Sequence, residues 1–207
     1  VFDALAAAGV PRSDLALGWS FRTSTRTVVP FDPSVDDVHF PNDYYLSEDE
    51  THLELPAPEG STPAAEAFLA RLNALDGYSV TAAGHMRFVG PFDGTPANLT
   101  STSLLFLDAD DEEDMPLVQR AWDAERNEVI LAPYRALRPR TRYAAVATDY
   151  LTDPDGVKIL SSHVWMILRS LNPAADAAGR SLLDCVSDED AHDLEEARIE
   201  YEELFDT

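Results

Sequence analysis

From residue 15 the chain alternates: Leu15, Leu17, Trp19 and Phe21 occupy one face of LALGWSFRT, and Ala16, Gly18, Ser20 and Arg22 the other. Four large apolar side chains at period two predict a strand laid against a core. Before it, Phe2, Leu5 and the neighbouring alanines read as the end of a helix stopped by Gly9 and Val10-Pro11. Prolines at 30, 33, 41, 56 and 58 leave room only for short extended pieces, at Val28 to Phe31 and Thr51 to Leu55. A helix is predicted from Pro63 to Leu75, with Thr62 as N-cap, Pro63 at the first helical position and Gly77 beyond the end. Its apolar stripe, Ala65, Phe68, Leu69, Leu72 and Leu75, predicts that it lies across an end or edge of a sheet. Beyond Tyr78 the pattern is nearly all β. Strands are predicted at Gly84 to Val89, Ser103 to Leu107, Leu117 to Trp122, Glu128 to Ala132 and Thr141 to Thr148, separated by turn-rich segments. Residues 161–170 fit a strand or a helix, and the apolar run Val164 to Leu168 suits a buried strand better. Ser187 followed by Asp190 has the form of a capping box. The helix it opens carries one narrow apolar stripe, Ala191, Leu194, Ala197, Tyr201 and Leu204, and so must dock on something to be stable.

This pattern predicts a mainly β fold: a sandwich with peripheral helices at about 62–76 and 187–205. Hydrophobic residues make up 45% of the 207 residues, enough for a substantial core. Charge narrows the partners. With 38 acidic against 15 basic residues, the net charge of −23 disfavours nucleic acid and anionic membranes. No apolar run approaches the length of a membrane span. Like-charge repulsion at this density opposes the compact state, and about 0.1 M salt shortens the screening length to about 10 Å. The melting temperature is therefore expected to rise with added NaCl, which thermal melts at low and molar salt will check. The chain begins at Val1 without Met or a signal-like segment, so it reads as a fragment or a processed product. A single cysteine, Cys185, excludes an intrachain disulfide, and no cationic neighbour close in sequence marks it as a nucleophile.

Candidate chemistry is sparse. No G-x-S-x-G pentapeptide occurs, and the five histidines, His39, His52, His85, His163 and His192, lack ligand spacing, so an enzyme is not expected. Carboxylates at Asp108, Asp110 and Asp111, and at Asp153 and Asp155, are candidate Ca²⁺ ligands from two loops, against the alternative of solvated acidic loops. Tyr44, Tyr45, Trp122, Tyr134 and Trp165 are candidate glycan platforms, although their dispersion favours core packing. Asn98-Leu99-Thr100 fits a glycosylation sequon and says little. The most specific local signal is Leu137-Arg138-Pro139-Arg140-Thr141-Arg142-Tyr143. Leu137 and Pro139 lead into a strand whose early tyrosine, Tyr143, has the setting of a tyrosine corner; an ordinary half-buried strand tyrosine is the alternative.

The stretch from Met86 to Leu160, with FVGPFDG, APYRALRPRTRYAAVAT and YLTDPDGVKI in that order, resembles a bacterial Ig-like domain of surface-layer and secreted proteins. With FPNDYYL, LELPAPEGS and LNALDGYSV included, residues 38–170 resemble the N-terminal Ig-like region of bacterial virulence-factor lipases. The acidic insert at 108–114 and the missing hydrolase segment depart from that pattern. The resemblance implies an Ig-like β-sandwich at 28–170, followed by a linker and acidic helix at 171–207. It also implies a non-catalytic structural or interaction module of a larger cell-surface or secreted bacterial protein. The implied partners are neighbouring repeats or other surface proteins, with Trp19, Phe21 and Tyr143 as structural residues. An accessory domain of a secreted lipase or esterase, or a carbohydrate-binding module, is the alternative.

In the resembled surface proteins a helix of the form R-x-x-Y-x-x-L-F leads into A-G-V-x-R-x-D-L and a strand LALxWxFxT. Here the first half, Arg198, Tyr201, Leu204 and Phe205, stands at the C-terminus, and the second half, Ala8 to Phe21, at the N-terminus. Residues 1–27 are accordingly expected to be the trailing end of a preceding repeat or a permuted edge strand. Leu194, Ala197, Tyr201 and Leu204 are expected to pack near Phe2, Leu5 or the LALGWSF strand, in this chain or a neighbouring copy, the alternative being a frayed terminal helix surrounded by solvent.

Overall fold

A computed structural model describes residues 26–205 apart from 36, 110–115 and 185, with the backbone alone at 34 and 203–205. The expectations for residues 1–25, including the Trp19 and Phe21 strand and its contacts with the last helix, lie outside the described residues. Strands β1 (Val28–Val29), β2 (Gly84–Arg87), β3 (Leu104–Asp108), β4 (Val118–Asp123), β5 (Glu128–Pro133), β6 (Tyr143–Ala147) and β7 (Leu160–Ser161) form three small sheets. One is antiparallel in the order β2-β5-β4, one is the antiparallel pair β3-β6, and β1 pairs in parallel with β7. Val28 also bridges Val89, just past β2, which joins the short parallel pair to the edge of the three-stranded sheet.

Alternation sets what faces inward. Met86 of β2, Val129 and Leu131 of β5, Val118 of β4, and Leu104 and Phe106 of β3 form one buried cluster with Phe88, Phe92, Leu151 and Ile159. The two antiparallel sheets thus share a single core. Where they approach, Gly84 of β2 leaves room for the other sheet: a Cβ there would lie 3.6 Å from the Phe106 ring and 3.7 Å from the Ala145 Cβ. Arg120 ties the sheets as well, its Nε donating to the Leu104 carbonyl at 2.9 Å.

Loops are held by side chains that mimic backbone turns. In the β4–β5 hairpin Asp123 accepts from the N–H of Glu125 and of Arg126, and Asn127 takes the left-handed conformation, φ 54°. The Asn127 amide reaches across to the carbonyls of Phe88 and Gly90. Asn98 is buried, its amide donating to the carbonyls of Asp93 and Thr152 while its Oδ1 accepts from the Thr152 N–H. The sequon asparagine is therefore a loop tie.

Among the described residues three α-helices accompany the sheets: α1 (Pro63–Leu72), α2 (His163–Leu168) and α3 (Asp188–Phe205). Thr62 caps α1 by accepting from the Ala65 N–H. The helix ends well before Gly77, because the Asn73 side chain exchanges two hydrogen bonds with the Leu55 backbone and draws the chain out of the helix. No residue of α1 is buried, and Phe68 of its stripe is 64% exposed. Residues 163–168 correct the strand reading. Ser162 caps a helix by accepting from the Trp165 N–H at 3.1 Å, and its hydroxyl donates to the Phe31 carbonyl. A continuous apolar run carries no period to separate the two structures.

At the start of α3, Ser187 and Asp190 bond each other through their side chains, and the Asp190 N–H donates to Ser187. The helix packs on α2 through an aromatic group in which Tyr201 lies 5.5 Å from Trp165 and 6.0 Å from Phe31, centroid to centroid, and Ala191 near its start is fully buried. Burial pushes the Tyr201 hydroxyl up to about 12. Arg198 is buried beside them and forms a two-pronged pair with Glu195 at 2.9 and 3.0 Å, while Glu195 also accepts from the Ala174 N–H. Ala191 and Tyr201 of the narrow stripe are thus packed away, beside an ion pair that the pattern did not single out.

Candidate functional site

Of the expected structural residues, Leu137, Pro139 and Tyr143 lie at one corner between β3 and β6, and Trp19 and Phe21 lie outside the described residues. Asp108 and Tyr143 are register partners at the ends of these strands. The Tyr143 hydroxyl accepts the backbone N–H of Arg138 at 3.0 Å, the bond that defines a tyrosine corner. Its ring stacks on Phe106 at 5.8 Å, and Leu137 packs partly buried against the core while Pro139 is exposed. Arg138 then turns its guanidinium onto Asp108, whose side chain has no exposed surface. One arginine therefore ties the corner by backbone and side chain together. Sequence reading passed over Arg138; the signal was its place beside a leucine-proline corner, opposite an acidic strand end. Removing the hydroxyl in Tyr143→Phe is expected to cost about 1 kcal/mol, one net hydrogen bond, measured by urea unfolding.

Among the described residues the candidate Ca²⁺ ligands do not gather. Asp108 is engaged by Arg138, and Asp110 and Asp111 lie outside the described residues. Asp153 accepts the N–H groups of Asp155 and Val157 and so closes its own turn, with Asp155 exposed beside it. Among the described residues no three His, Cys, Asp or Glu side chains are placed to hold a metal ion. The candidate glycan platforms do not form a common surface either. Trp122 leans on Phe92 at 4.8 Å, Trp165 packs with Phe31 and Tyr201, and Tyr44 and Tyr45 pack edge to face on each other. Tyr134 is exposed.

A different constellation appears where residues 37–40 cross β2. Alternation turns Met86 inward and leaves His85 and Arg87 on the other face of β2. The His85 N–H donates to the Phe40 carbonyl at 2.7 Å, while Arg87 pairs with Asp37, and His85 Nδ1 pairs with Glu128 of β5. Together with His39 and the exposed apolar side chains Val35 and Phe40, these line an open cleft of about 500 Å³. His39 Nε2 is buried and has no hydrogen-bond partner. Burial pushes this imidazole down to about 4, with Arg87 acting in the same direction and Asp37 and Glu128 against it. Two of the five histidines that looked scattered thus share one cleft. The fold brings them together across a long sequence separation that no spacing rule spans.

The lining of this cleft carries acids and bases but no Ser, Thr or Cys among the described residues. Its carboxylates hold cationic or imidazole partners, Asp37 on Arg87 and Glu128 on His85.

No protein-family model and no curated protein matches the sequence. Among solved structures, the crystal structure of the S-layer protein rSbsC (residues 31–844) is similar over 48% of this chain, at 14% identity and a TM-score of 0.32. The chain spans 15% of that structure, and a likeness of this size defines no shared fold. What the chain itself defines is a β-rich protein in which two antiparallel sheets share one core. Among the described residues, no helix is long and apolar enough to cross a membrane.

Proposed function

We propose that this chain is a non-catalytic Ig-like structural and interaction module of a larger cell-surface or secreted bacterial protein, one of a tandem series. The observation that carries the reading is the corner at Tyr143: a strand tyrosine bonded to the Arg138 N–H, beside a core shared by two antiparallel sheets. Such a corner fixes the crossing between sheets, which is what a module that spaces its neighbours under load requires. The acid-rich composition supports the same role, since net charge far from zero keeps a crowded array soluble.

The module's mechanism is then mechanical. The sheets keep a fixed shape, the loops are tied by Asn98, Asn127 and Asp153, and α3 is held on α2 by the aromatic group, with Arg198 donating to the Ser170 carbonyl just beyond α2. Antibody raised against the chain should label intact cells that make the parent protein, and the purified chain should leave short-chain esters unhydrolysed. Labelling only after lysis, or ester hydrolysis that is lost in His39→Gln, would overturn the reading.

A further inference from the structure

The cleft at the edge of β2 has the parts of an acid-sensitive latch. Residues 37–40 are fastened to β2 at two points, by the His85 N–H on the Phe40 carbonyl and by the Arg87–Asp37 ion pair. Between these fasteners sits His39, its Nε2 shut from water and without a hydrogen-bond partner. A neutral imidazole tolerates that site, whereas a charged one needs either solvent or a free carboxylate. Among the described residues, the charged and titratable groups facing it are Asp37 from its own segment, His85 and Arg87 from β2, and Glu128 from β5. Both carboxylates are engaged, Asp37 by Arg87 and Glu128 by His85. A proton on His39 therefore either draws Asp37 away from Arg87 or drives Nε2 out to water. The first route undoes the ion-pair fastener, and the second moves His39 out of its place next to Phe40, whose carbonyl carries the other fastener.

We propose that protonation of His39 releases residues 37–40 from the edge of β2, so that the cleft works as a latch opened by acid. The sign follows from burial. Closed, the imidazole is held down to about 4; released, it regains the ordinary value of 6.5. The closed form is thus fully favoured above about pH 6.5 and loses ground as the pH falls toward about 4, because the open form binds the proton more tightly. Release would expose the hydrogen-bonding edge of β2 at His85, a surface suited to pairing with another strand. This inference stands on the cleft alone and does not depend on the module being at a cell surface.

Amide hydrogen exchange on the whole chain tests it, with rates corrected for the intrinsic effect of pH. Between pH 7 and pH 5 the protection of the His85 amide should fall about tenfold more than that of the β5 amides, and His39→Gln should remove this excess. If His85 follows β5, or if the excess persists in the folded His39→Gln protein, the latch is refuted. Should that variant not fold, NMR titration of the wild-type imidazole decides. Titration of His39 well below 6.5, accompanied by loss of His85 protection, upholds the latch. Titration at the ordinary value, or without change at His85, refutes it.

Discussion

Replacing Leu131 with alanine is expected to destabilise the protein by about 4 kcal/mol, toward the upper end of the range for a buried leucine. Leu131 has no exposed surface and lies on β5, the middle strand of the three-stranded sheet. Its partner on β2 is Gly84 and its partner on β4 is Arg120. The cost of such a truncation depends on how far the surroundings can collapse into the space left behind. Here one flank is a glycine with no side chain to move. The other is an arginine held by its Nε on the Leu104 carbonyl and by a second nitrogen on the Val118 carbonyl. Burial already holds that guanidinium below its ordinary range, so moving it deeper into an apolar void is unfavourable. The cavity should therefore persist. Urea unfolding followed by far-ultraviolet circular dichroism measures the loss, and a change under about 1 kcal/mol would mean that β5 does not occupy the centre of the core.

The strands most readable from sequence were those bounded by turns and patterned at period two. Met86, Phe88, Leu104, Phe106, Val129 and Leu131 all point inward, and each of the five strands expected beyond Tyr78 appears with its bounds shifted slightly. Helices were read less evenly. For α3, a capping box and a single stripe agreed, and Ala191 and Tyr201 of that stripe are packed away. For α1, the cap was right and no residue is buried, because an apolar stripe gives a helix a face without supplying anything to cover it. For α2, the uninterrupted run Val164 to Leu168 held no period, and the Ser162 cap settled the conformation.

The candidate sites were the least legible part. Asp108 belongs by sequence to an acidic run, yet strand register places it opposite Tyr143 and within reach of Arg138. That is a long-range coincidence of two strand ends, invisible to local composition. The cleft at His39 has the same origin: residues 37–40, His85 and Glu128 come from three separate stretches, and only the pairing of β2 with β5 and of Phe40 with His85 joins them. Properties that depend on one element, such as a cap or a face, can be read along the chain. Properties that depend on which elements become neighbours cannot.

Gly94→Ala should destabilise the fold by about 3 kcal/mol through one aromatic contact, a large effect for the addition of a single methyl group. Gly94 ends the FVGPFDG segment, and a Cβ built there would lie 2.6 Å from Trp122 Nε1, with the ring carbons Cγ and Cδ1 closer still. No carbon is tolerated at that separation, so the indole must move. It is not free to do so: Trp122 packs at 4.8 Å on Phe92, which stacks on Phe88 at 3.9 Å, and both phenylalanines are buried in the shared core. Shifting the ring outward breaks this stack, and shifting the 93–94 loop instead strains the ties that Asn98 makes to Asp93 and Thr152. The two routes are separable. If the indole yields, near-ultraviolet dichroism should weaken while the loop hydrogen bonds keep their protection. In a Trp122→Leu background, Gly94→Ala should then cost much less, the two changes coupling by about 1–3 kcal/mol as expected for residues in contact. Additive effects in that double-mutant cycle, or a Gly94→Ala protein as stable as the parent, would show that Gly94 does not hold the place of the Trp122 ring.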